Sequence, residues 1–215
     1  MILKTVKTRL SVKLVCLLAI ALLAPLVHAS ILSNGSALPP SPLFPGGTLL
    51  AQTSALITTP TFTANYTAQV FRDPNNYWCV NCLDFVYQFT NNGPAANERY
   101  SMSSFAGFNV NAGTNPFGVH DPITVDRSVN GNGPVIGFNF DQFGDEIVAG
   151  ETTVLLVIET NALTYTSGYV SAQDGTAGSG LAYQPSAVPE PSSLALMGGG
   201  LSVFGILLRK FRFGK

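Results

Sequence analysis

Trp78-Cys79-Val80-Asn81-Cys82 holds two thiols at a spacing that suits either a redox dithiol or a short covalent loop. Redox use needs the first cysteine at a helix N-terminus, where the helix dipole lowers its pKa. The residues that follow, 83–90, alternate as a strand, and no βαβ pattern surrounds them. The expectation is therefore a structural disulfide between Cys79 and Cys82 in an oxidising compartment, with redox and metal roles as the alternatives. Closing so small a loop contributes about 2 kcal/mol at most in the chain-entropy picture.

Other chemistry is thinly supplied. His28 lies in the N-terminal segment 1–29, which leaves His120 as the one histidine of the body. Two thiols and one imidazole cannot assemble a Cys₂His₂ zinc site. A Ser-His-Asp arrangement would have to use His120, and no Gly-x-Ser-x-Gly elbow supplies the serine. His120, beside Asp121-Pro122, reads as a loop residue. Asp141, Asp145, Glu146 and Glu151 gather around a turn between two strong strands, and calcium takes such hard oxygen ligands. Their spacing is not that of an EF-hand, and solvated strand-end charges are the alternative. Eleven carboxylates leave a two-carboxylate glycosidase open, though nothing selects a pair. Tyr66, Tyr77 and Trp78 could stack against a sugar ring, or pack in the core and shield the cysteines. No cofactor is expected.

Eight of the 11 Lys+Arg residues lie in the two terminal segments. The body, 30–188, keeps only Arg72, Arg99 and Arg127 against eleven carboxylates, a formal net charge of −8, and has no lysine. Such a surface cannot neutralise phosphates, which argues against nucleic acid as a partner. It also disfavours anionic lipid.

The elements that must position these residues read as strands. Positions 30–47 are rich in Pro, Ser, Gly and Leu (Pro39, Pro40, Pro42, Pro45) and read as a flexible leader. Beyond it, 48–185 shows no sustained helical period. In 83–90 the residues Leu83, Phe85, Tyr87 and Phe89 line one face, and Asn91-Asn92-Gly93-Pro94 should end the strand. Further strands are expected at 135–140 and 152–159, with weaker ones at 64–71, 100–105, 123–128 and 165–172. The run 153–158 is apolar on both faces and should sit centrally. Seven or more short strands at this spacing favour an antiparallel β-sandwich, with a partly closed barrel as the alternative.

Both termini carry sorting features. Lys4, Lys7, Arg9 and Lys13 precede an apolar stretch, 14–27, and Val27-His28-Ala29 offers a cleavage point, so 1–29 reads as a signal peptide. At the other end, in 186–215, Val188-Pro189-Glu190-Pro191 is followed by an apolar run, 194–208, and then by Arg209, Lys210 and Arg212. The prolines hold the chain extended, and positive charge beside a span resists translocation. This tail resembles the PEP-CTERM sorting signal of Gram-negative bacteria. The resemblance implies recognition by exosortase, a membrane-embedded cysteine protease-like enzyme, and passage through the inner membrane as a transient anchor. It further implies a destination at the cell surface or in the extracellular matrix, with exopolysaccharide as a candidate partner. A non-enzymatic structural or adhesive role is the first expectation, a carbohydrate-binding module the second and a secreted polysaccharide hydrolase the third.

As a helix, 194–208 would span about 22 Å against a hydrocarbon core of roughly 30 Å. Gly198, Gly199 and Gly200 at its centre weaken it further, by up to about 1 kcal/mol each relative to alanine. It is marginal as a permanent anchor but sufficient as a temporary one. Cleavage near Glu190 is expected, and Glu190→Ala or charge reversal at Arg209 and Lys210 should leave an uncleaved, mislocalised precursor. Immunoblotting of fractionated cells with a C-terminal antibody checks this. Full-length protein at the surface of wild-type cells would contradict it.

Overall fold

The computed structural model describes residues 31–141 and 144–187. The signal peptide 1–29, the membrane segment 194–208, the sorting motif at Val188–Pro191 and the basic residues Arg209, Lys210 and Arg212 lie outside the described residues. Within them the chain forms twelve strands and no helix. These are β1 (Ala37–Leu38), β2 (Ser41–Pro42), β3 (Thr48–Thr58), β4 (Phe62–Asp73), β5 (Cys82–Pro94) and β6 (Arg99–Met102). They continue with β7 (Val110–Asn115), β8 (Thr124–Arg127), β9 (Ile136–Asn139), β10 (Leu155–Thr160), β11 (Thr164–Asp174) and β12 (Thr176–Ser186). One sheet has the order β1-β8-β9-β6-β11-β12 and the other β2-β7-β10-β5-β4-β3. Every pairing is antiparallel except β2 on β7. The two sheets remain separate, as in a sandwich and not a barrel.

Alternation explains the core. Leu83, Phe85, Tyr87 and Phe89 of β5 all face inward and are buried. Phe89 stacks on Tyr100 of β6 in the opposite sheet with ring centroids 4.0 Å apart, and Tyr100 meets Phe140 edge-on at 5.8 Å. Two inward tyrosines also tie the sheets by hydrogen bonds. Tyr66 Oη donates to the Leu181 carbonyl at 2.6 Å and Tyr87 Oη to that of Tyr183 at 2.8 Å, both on β12. Gly180 makes room for this approach, because a Cβ there would lie 2.5 Å from the Tyr66 ring.

The run 153–158 is central as expected, since β10 lies between β5 and β7. Its inward residues Leu156 and Ile158 join the main core. Its outward Val157 is equally buried, in a second cluster with Val86 and Leu43. The second sheet is thus covered on both faces.

That cover corrects the reading of 30–47 as a flexible leader. Ile31 bridges to Asn111, the Leu32 N–H donates to the Val110 carbonyl at 3.0 Å, and Leu32 is buried in the main core. β1 then pairs with β8 in the first sheet, while β2 lies along β7 in the second. The Leu43 N–H donates to the Thr114 carbonyl at 2.8 Å. Gly113 permits this path, since a Cβ there would sit 1.9 Å from the Ser41 carbonyl oxygen. The prolines that suggest mobility instead stiffen an extended segment whose leucines find apolar seats.

The expected end of the 83–90 strand also moves. β5 continues to Pro94, with the register against β4 shifting between Thr63 and Ala64, so Asn92 is the extra residue of a bulge. Besides β1 and β2, three further strands not anticipated, β3, β7 and β12, complete the sheets.

Arg127 is the other fastener. It is 6% exposed, and its guanidinium donates to the carbonyls of Gly133, Leu32, Phe105 and Phe108 at 2.9–3.2 Å. One side chain therefore joins the N-terminal segment to two loops. Leu43→Ala should lower stability by about 2 kcal/mol or more if 41–47 covers the second sheet in this way. A denaturant melt measures it, and a mobile leader would instead give a change within about 0.5 kcal/mol.

Candidate functional site

The outer face of the second sheet carries the most unusual chemistry. Asn111 on β7, Glu159 on β10 and Asp84 on β5 are register partners, forming a row across three adjacent strands. Each lies two residues from an outward neighbour, as Asp84 does from Val86 and Glu159 from Val157, so the row shares their face. Asp73 closes the group from the end of β4, where it pairs with Cys82. Asp73, Asp84 and Glu159 are 3%, 0% and 7% exposed, and one oxygen from each lies within 4.8 Å of the others.

The loop 74–81 builds the roof. Asp73 Oδ1 accepts the Asn75 N–H at 2.7 Å, and its carbonyl accepts the Asn81 N–H at 2.9 Å. Asn76 is buried, accepts the Trp78 N–H at 2.8 Å on Oδ1 and donates Nδ2 to Asp84 Oδ1 at 2.7 Å. Asn81 takes the left-handed conformation with φ 65°, which turns the chain back into β5. Cys79 and Cys82 stand with Cα atoms 5.4 Å apart and their sulfurs in contact. On the neighbouring side, Asn111 Nδ2 donates to Glu159 Oε2 at 2.8 Å.

No cation offsets these carboxylates among the described residues. The ion pairs there are Arg99–Asp126 and His120–Glu151, and neither involves the cluster. Asp84 Oδ2 and Asn111 Oδ1 are buried without any hydrogen-bond partner. Burial pushes the Asp84 carboxyl up to about 8 against the lowering effect of the Asn76 hydrogen bond, with Glu159 and Asp73 adding repulsion. Burial raises Glu159 as well, opposed by its bond from Asn111 and reinforced by Asp73. Three buried carboxylates of this kind must either hold protons or share a cation.

The candidates named from sequence are placed differently. Tyr66 belongs to the inter-sheet core at 2% exposure, so it cannot join a sugar platform. Its inward place follows from alternation along β4. Tyr77 and Trp78 do meet, edge to face at 5.0 Å, with Tyr77 half exposed. Asp141, Asp145, Glu146 and Glu151 do not converge into a cation site. Asp141 and Asp145 are exposed, Glu146 accepts the Gly144 N–H at 3.3 Å, and Glu151 accepts the Val148 N–H at 3.1 Å. Glu151 also pairs with His120 Nε2 at 2.8 Å, and the hydrogen bond from His120 is the main cause of its lowered pKa. Local N–H groups and one imidazole meet Glu146 and Glu151, while water reaches Asp141 and Asp145. Asp73, Asp84 and Glu159 were not singled out from sequence. The available signal was Glu159 standing at an outward position of a strand otherwise apolar on both faces.

The model of the PEP-CTERM protein-sorting motif matches residues 187–212. The chain thus carries a PEP-CTERM sorting motif, which implies export, a membrane-anchored precursor and sorting by exosortase. No curated protein and no solved structure matches the chain.

The acidic cluster sets a pH response. With Asp84 at about 8 in the fold and about 4 unfolded, the folded state binds more protons between those values. Its stability must therefore fall as pH rises through that window. Thermal melts in metal-free buffer should show the midpoint dropping from pH 5 to pH 8. Asp84→Asn should flatten that slope and melt above the wild type at pH 8.

Proposed function

We propose that the protein is a non-enzymatic β-sandwich of the cell surface or extracellular matrix, with a structural or adhesive role there. The sorting motif at 187–212 carries this reading, because its processing delivers the body outward. The body suits such a place. It holds no lysine, its net charge is −8, and its N-terminal segment is bound across both sheets rather than left loose. Cleavage of the signal peptide after Ala29, and a bond between Cys79 and Cys82, belong to the same reading. Exopolysaccharide is the matrix component it would meet.

A second reading is a carbohydrate-binding module. The edge-to-face pair of Tyr77 and Trp78 on the loop 74–81 supports it, since amphipathic aromatics at a surface suit stacking on a sugar.

Fractionation of producing cells tests the first reading. An antibody to the body should find the mature protein in the surface or matrix fraction, and Glu190→Ala should hold it in the inner membrane. Mature protein retained in the inner membrane of wild-type cells would overturn the reading. On a glycan array the first reading expects neither specific binding nor turnover. Specific binding lost in Trp78→Ala would favour the second. Non-reducing mass spectrometry of the mature protein should recover Cys79 and Cys82 as one closed loop, whereas two free thiols would contradict the bond.

A further inference from the structure

We propose that Asp73, Asp84, Glu159 and Asn111 form a calcium site on the outer face of the second sheet, beneath the loop 74–81. The donors are all hard oxygens, on three adjacent strands and the end of a fourth strand. No imidazole or thiolate belongs to the group, which sets it against zinc and copper. Magnesium demands a near-regular octahedron and keeps much of its water, a poor match to a roofed and fully buried cluster. Calcium accepts six to eight oxygens in irregular array, from mono- or bidentate carboxylates, amides and carbonyls.

The independent sign of a ligand is the pair of orphaned oxygens. Asp84 Oδ2 is buried within the cluster with no partner, although Oδ1 of the same carboxylate is held by Asn76. Asn111 Oδ1 is orphaned too, on an amide already fixed to Glu159 through Nδ2. A proton shared between Asp84 and Asp73 would satisfy Asp84 Oδ2 but would leave Asn111 Oδ1 unmet and two negative charges buried together. A divalent cation meets both needs, since it offsets two of three negative charges and coordinates further oxygens. The surroundings are ready for it. Gly46 brings the N-terminal segment against Asp73, where a Cβ would lie 3.0 Å from Oδ1, and the cysteine loop closes the other side.

The site also differs from the acidic residues Asp141, Asp145, Glu146 and Glu151, which are solvated or held by local partners. Calcium here would fasten β4, β5, β7 and β10 together at one end of the sheet. It would act as a structural clamp on an exported domain, and extracellular modules commonly bind calcium at about 10⁻⁴–10⁻³ M.

The test uses the full chain in detergent, dialysed against chelator and then supplied with calcium chloride. The melting midpoint should rise by about 5–10 °C when calcium stands about a hundredfold above its dissociation constant. Radioactive calcium should bind the wild type at about one ion per chain. Asp84→Asn and Glu159→Gln should each abolish most of the rise, while Asp145→Asn should leave it intact. Absence of both the rise and bound calcium in the wild type would overturn the site and leave the cluster protonated. An equal rise with magnesium would overturn the choice of ion. Loss of the rise in Asp145→Asn, or its survival in Asp84→Asn, would move binding elsewhere and overturn the assignment. The wild-type measurements decide the matter even where a variant fails to fold.

Discussion

Everything in this fold answers to one constraint: the middle strands of the second sheet are buried on both faces. β5 and β10 send Leu83, Phe85, Leu156 and Ile158 inward, yet Val86 and Val157 on the other face are equally shut away from water. A sandwich of two sheets covers only the inner faces. The outer face needs its own lid, and Leu43 on the N-terminal segment supplies the apolar part of it. The loop 74–81 supplies the rest, over ground that is polar. Because that end of the sheet is also closed, the carboxylates of Asp84 and Glu159 are buried without the solvent that strand ends normally enjoy. The apolar lid and the acidic cluster are two results of the same enclosure.

The strands were legible in sequence wherever packing imposed a period on them. Leu83 to Phe89 alternates without a break because one face meets the aromatic layer of Tyr100 and Phe140. β3 and β12 lie at sheet edges and expose much of their length, so threonine, serine and glycine occupy positions that apolar residues would hold at the centre. No period marks such strands. β7 hid for another reason, since Asn111, Gly113 and Asn115 face a covering segment that tolerates no bulk at Gly113.

The N-terminal segment shows how composition misleads. Prolines at 39, 40, 42 and 45 prevent it from donating a full ladder, and that absence resembles mobility when read from sequence. Yet an extended, pre-stiffened strip loses little entropy on docking. Its few free N–H groups, such as those of Leu32 and Leu43, find carbonyls on β7 at 3.0 and 2.8 Å. The acidic cluster was illegible for a related reason. Asp73, Asp84, Glu159 and Asn111 come from four separate strands, and only the register of β7, β10, β5 and β4 sets them side by side.

Arginine placement has a consequence for resistance to proteolysis. The body's three cationic residues all stand at the ends of paired strands, Arg72 next to last on β4, Arg99 first on β6 and Arg127 last on β8. A trypsin-like protease must draw a segment on both sides of a basic residue into an extended, unpaired form before cutting. Here that requires fraying the end of a strand from its sheet, and at Arg127 it also requires pulling the guanidinium from its ring of carbonyls. The loops, where nicking normally begins, contain no residue such an enzyme reads. Digestion of the folded domain by that class of enzyme therefore needs strand ends to fray and not loops alone to move, and amine-directed cross-linkers find no lysine side chain on it.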